Sequence, residues 1–165
     1  MDIGEPDYDD PKEPYALYGL AAYFAQCFEQ SLILLIVAGE IIRQRNVPDL
    51  AALDELFAKL SKRTLGQLIN TVSQVMPIDD VLADAMVEAL KKRNYLVHHF
   101  FFVNAEKWFN GESRRMMIDE LRGLVNLFKS ADVVAKSIYS PLCTKLGISE
   151  DVINKTIVSL GIPSE

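Results

Sequence analysis

Three polar side chains within six residues carry groups suited to chemistry: Arg93, Asn94 and His98, with His99 directly after them. Histidine is the side-chain type that takes up and returns protons near neutral pH. A guanidinium clamps a phosphate and stabilises charge developing on it. The Asn94 amide can position either group, or the phosphate itself. Lys91 and Lys92 just upstream supply cations for flanking phosphates, joined by Lys59, Lys62 and Arg63 if the fold brings them near. No metal centre is expected from His98 and His99. Adjacent helical residues diverge by about 100°, and no third ligand accompanies them. No glycine-rich phosphate loop or cofactor motif is present, so no cofactor is expected.

These residues fall on a helix expected from about Asp79, an N-cap, to about Val103. On its wheel Leu82, Met86, Ala89, Leu90, Leu96, Val97 and Phe100 form an apolar stripe with Arg93 at the centre. A guanidinium there needs a carboxylate, carbonyls, water or a ligand. Glu29 and Glu40 are the acidic candidates. Asn94 and His98, four apart, are neighbours on the polar side. Arg93 and His98 are about 140° apart around the helix. They do not face one point squarely unless a second copy of the helix completes the site.

The rest of the chain also reads as helices. One is expected from Pro14 to Arg45, apolar on two sides, hence central in a bundle or shared with a second chain. Two shorter ones follow, at residues 49–61 and 64–75. After the Asn110-Gly111 breaker, Met117, Leu121, Leu124, Phe128, Ala131, Ala135 and Ile138 alternate steps of four and three. Such a seam belongs to a long helix, expected to end at Pro141. Ser149 opens a last short helix that stops at Gly161. The expected fold class is all-α, an antiparallel bundle of five or six helices in one domain over residues 14–165.

Composition agrees with a globular protein. The 165 residues are half hydrophobic and a quarter charged. Cys27 and Cys143 lie in no CxxC or Cys/His pair and read as buried thiols of a reducing compartment. The N-terminus is acidic, unlike a signal peptide, and the most apolar run, residues 32–38, is far short of the roughly 20 residues of a membrane helix. A cytoplasmic protein with no membrane association is expected. Of the net charge of −6, residues 1–13 carry −5, from six acids against Lys12. These residues are expected to be a disordered, solubilising tail. The nearly neutral remainder does not advertise broad nucleic-acid affinity, which usually needs a basic face, and leaves room for a small cationic site.

The run Arg93-Asn94-Tyr95-Leu96-Val97-His98 resembles the signature of the HEPN superfamily: an arginine, often followed by asparagine, then a histidine after four to six residues. Glu88, Lys92 and Arg93 are similar to its Glu-x3-Lys-Arg element. The wider text, through Phe101 and on to residues 116–121, resembles an uncharacterised bacterial family with an RNYL-x-H-x-FF motif. Gln26, Glu29 and Thr64-Leu65-Gly66 resemble it too. The resemblance implies a four- to five-helix bundle that forms a homodimer. It also implies a toxin- or defence-type endoribonuclease, acting without metal at a composite site of two motifs. Arg93, Asn94 and His98 would be catalytic, with Lys91, Lys92 and His99 binding the RNA. The ribose 2′-OH would attack, leaving a 2′,3′-cyclic phosphate. The neutral body and acidic tail depart from what RNA binding favours.

Two other readings stand beside it. In one, Arg93, Asn94 and His98 are structural, in a non-catalytic interaction or regulatory protein such as an antitoxin or adaptor with a protein partner. In the other, residues 142–153 resemble a DNA-binding helix-turn-helix. Against that, Glu150 and Asp151 would open its recognition helix, where acids oppose phosphate contact.

Overall fold

The structure, a computed structural model, describes residues 4–45 and 49–147. The protein is all-α, a helical bundle, with no strand among the described residues. The first three helices are α1 (Glu13–Gln44), α2 (Leu50–Leu60) and α3 (Leu65–Val75). They are followed by α4 (Asp80–His98), the single turn α5 (Phe100–Val103), a 3-10 helix (Ala105–Phe109) and the long α6 (Gly111–Lys145). The short helix expected from Ser149, and most of the helix-turn-helix resemblance, lie outside the described residues.

Short polar residues set the starts. Asp49 accepts from the Ala52 amide at 2.9 Å and Asp79 from the Leu82 amide at 2.8 Å. Thr64 and Gln67 form a reciprocal capping box at α3. The Asn110 carboxamide oxygen takes the Glu112 amide at 2.9 Å and opens α6. Gly147, with φ of +69°, takes the left-handed conformation after its last turn.

Contacts divide the chain into two compact units, one of Met1–Phe28 with Asp84–Asp132, the other of Glu29–Ala83 with Val133–Glu165. The second unit is built around the middle of α1, where all nine residues 31–39 are buried. Leu53, Phe57 and Leu60 of α2 and Leu65, Leu68 and Val72 of α3 are buried in the same unit. The two-sided apolarity of α1 is thus satisfied inside the chain and calls for no partner there. An 18-residue window of α1 reaches a mean hydropathy of 1.6, so by length and composition α1 is able to cross a membrane. Counting only the unbroken apolar run hides this. That window is 56% buried within the protein, as in a core helix.

Gly39 marks a close approach of α1 and α3. A Cβ there would lie 2.9 Å from Val75 Cγ2 and 3.3 Å from its carbonyl oxygen. A branched valine at the end of α3 has little freedom to move away. Gly39→Val is expected to destabilise the protein by about 1–3 kcal/mol through overpacking, read as a lower urea midpoint at unchanged slope.

In the first unit, α6 carries the expected seam. Met117, Leu121, Leu124, Phe128 and Ala131 are all buried there, and the seam continues through buried Ala135 to half-buried Ile138 in the second unit. Pro141 does not end α6. It removes one amide from the ladder, but it is exposed, so water can take the freed carbonyl. Nor does α4 run unbroken to Val103. The backbone leaves helical geometry at His99 (φ −129°, ψ −25°) and resumes at Phe100.

Aromatic packing accounts for that break. Phe100 is fully buried against Tyr18, Tyr95 and Phe101, while Phe101 contacts Tyr15, Tyr18 and Trp108 at centroid distances of 5.5, 4.8 and 6.5 Å. Asn104, fully buried, donates to the Phe100 carbonyl at 2.9 Å and to the Tyr95 hydroxyl at 3.3 Å.

From residue 4 onward the acidic N-terminal residues make contacts within the segment and with α6. Asp7 accepts from the Asp9 and Asp10 amides, forming a turn. Tyr8 donates its hydroxyl to Asp119 of α6 at 2.7 Å, which pushes the phenol's pKa above its usual value. Asp9 lies 3.6 Å from Arg115 and Glu5 lies 3.9 Å from Arg122.

Candidate functional site

The last two turns of α4 carry the motif. Leu82, Met86, Ala89, Leu96 and Phe100 are buried, and they anchor this helix. Leu90 is half-buried and Val97 is 48% exposed, so neither belongs to the core stripe as expected. Arg93 is half-buried and engaged by other groups, not sealed at the centre of an apolar face. Glu40, one of the two acids considered for it, is held by Arg43 at 2.7 Å and Gln44 at 3.3 Å.

Asn94 and His98 are exposed, one turn apart, and among the described residues no hydrogen bond holds either side chain. His99 is exposed as well. The two rings, the chain's only imidazoles, lie 6.2 Å apart at 66°. The break at His99 therefore leaves a pair of accessible proton-transfer groups at the end of α4. Lys91 is exposed, and Lys92 sits 3.9 Å from Glu88 in a loose pair. Lys59, Lys62 and Arg63 fall in the other compact unit, where Arg63 donates to Thr71.

Around this end the surface is apolar. Phe102 is 86% exposed and Val103 57% exposed. Tyr95 closes the inner side. Burial, then Glu120 of α6 beside it, raises its phenol's pKa above the usual value. Among the described residues no group of three or more His, Cys, Asp or Glu is placed to hold a metal ion.

Asn104 is the contributor that sequence reasoning missed. It has no regular spacing from the motif, yet it ties Tyr95 to the turn after His99. Its amide oxygen is buried without a hydrogen-bond partner among the described residues. No family model, curated protein or solved structure matches the chain.

Proposed function

We propose that this chain is a HEPN-like, metal-independent endoribonuclease of toxin or defence type, acting as a cytoplasmic homodimer. The observation that carries the reading is the exposure of Asn94 and His98 side by side at the end of α4. A histidine built only to brace a core is buried with its nitrogens bonded; this one faces outward. In the reaction a ribose 2′-OH attacks the adjacent phosphorus while the 5′-oxygen leaves, giving a 2′,3′-cyclic phosphate. His98 takes the hydroxyl proton or returns one to the leaving oxygen. Arg93 neutralises charge on the phosphate, and Asn94 orients it. The angle between Arg93 and His98 favours a site made from two copies, and exposed Val97, Phe102 and Val103 offer apolar surface for that contact.

The test is cleavage of a mixed RNA pool in EDTA by freshly purified protein, alongside its solution mass. A mass of two chains and products ending in 2′,3′-cyclic phosphate are expected. No cleavage, or a stable monomer at micromolar concentration, would count against the composite site.

A non-catalytic interaction protein is the second reading. It is favoured by Arg93, which is half-buried and already engaged, as a structural arginine would be.

A further inference from the structure

We infer that the acidic N-terminal segment is a detachable mimic of single-stranded RNA, held on the Arg115–Asp119–Arg122 stripe of α6. The inference rests on the ribonuclease reading and adds the surface that takes the strand and the segment that guards it.

Arg115, Asp119 and Arg122 follow one another by four and three residues and share one face of α6. The segment meets each in turn. Glu5 lies 3.9 Å from Arg122, and Asp9 lies 3.6 Å from Arg115. The Arg115 guanidinium also sits 5.5 Å from the centre of the Tyr8 ring, whose hydroxyl donates to Asp119 at 2.7 Å.

The groups presented to α6 are thus two anions, one flat ring and one hydroxyl donor. Single-stranded RNA presents the same set: phosphates for arginines, a base for a guanidinium plane and a 2′-OH for a carboxylate. Asp119 is what selects RNA from other polyanions. A carboxylate between two arginines favours a partner with a hydroxyl donor between its anions, which Tyr8 supplies in the segment and a ribose 2′-OH supplies in RNA; polyglutamate and DNA have none to offer.

The attachment is built to release. Glu5 and Asp9 have side chains 96% and 91% exposed, and pairs so wet are weak and screened by salt. The Asp7 turn and the short tether to α1 keep the segment in place by high local concentration instead. Residues 1–13 carry −5 of the chain's −6, so release also lifts most of the net negative charge away from the body.

The test uses the full chain with His98→Ala, so that bound RNA stays intact, and a labelled uridine-rich RNA read by fluorescence anisotropy. Glu5→Gln, Tyr8→Ala and Asp9→Asn together should tighten binding about 10-fold at about 50 mM salt. Adding Arg115→Ala and Arg122→Ala should abolish that gain. The three tail side chains lie on the surface, and matched melting curves confirm the folded state. Unchanged affinity overturns the inference, as does a gain that survives loss of the arginines. An equal gain for single-stranded DNA or a polyglutamate peptide overturns it too. Cleavage by protein retaining His98 is scored separately. Tighter binding without cleavage sinks the ribonuclease reading alone; cleavage without tighter binding sinks the mimic alone.

Discussion

His98→Ala is expected to lower the rate of RNA cleavage by about 10²–10⁴-fold, the usual worth of a positioned general acid or base. Its melting temperature should stay within experimental error of wild type. The imidazole is exposed and makes no hydrogen bond among the described residues, so the fold loses little when it goes. This separation of activity from stability is what a structural histidine does not give. His99→Ala is the internal comparison. It tells which of two neighbouring rings moves the proton, since each is accessible and their centroids lie 6.2 Å apart. Arg93 calls for a gentler change, because a half-buried, engaged guanidinium contributes to folding as well. Arg93→Lys keeps the charge and loses the planar fork. A drop in cleavage with unchanged melting then reports on phosphate contact. Equal cleavage by wild type and all three variants would trace the activity to a contaminant.

The largest stability effect is expected at Phe100. Phe100→Ala should cost about 3–5 kcal/mol, the range for emptying a buried aromatic site. With a urea slope of about 1–3 kcal/mol/M, the midpoint falls by at least about 1 M. The ring is fully buried and meets Tyr18, Tyr95 and Phe101, so its loss leaves a cavity that α1, α4 and α5 must close together. Phe109→Ala is the control. Its ring is 89% exposed, and the change should be within about 0.5 kcal/mol. Equal effects at the two positions would mean that Phe100 is not buried as described.

Much of this architecture was legible in the sequence because it is local. Asp49, Thr64 and Asp79 are short acceptors just before apolar periodic runs, and all three cap helices. The seam from Met117 to Ala135 reads correctly because one long helix keeps one face inward over many turns. The wheel also placed Asn94 and His98 on the polar side of α4, where they lie.

The failures are of another kind. The break at His99 depends on rings brought from α1 and from the 3-10 helix, and no window of neighbours contains them. Val97 and Leu90 read as core because the wheel puts them beside the stripe, but both lie at its edge, on the far side of Arg93 from buried Ala89 and Leu96. Pro141 reads as a breaker by residue type, but an exposed proline late in a long helix removes only one hydrogen bond from the ladder. For the acidic segment, composition predicts little hydrophobic burial and is silent about the contacts of Tyr8 with Asp119 and Arg115 of a helix a hundred residues later.

Trp108 sits in the 3-10 helix with its ring 4.6 Å from Tyr15 and 6.5 Å from Phe101. It is the chain's single tryptophan. Intrinsic indole emission from this protein therefore has one origin, the corner where the start of α1 meets the turn beyond the histidines. A shift in its colour or quenching is a local signal from that corner, with no second fluorophore of its kind to dilute it.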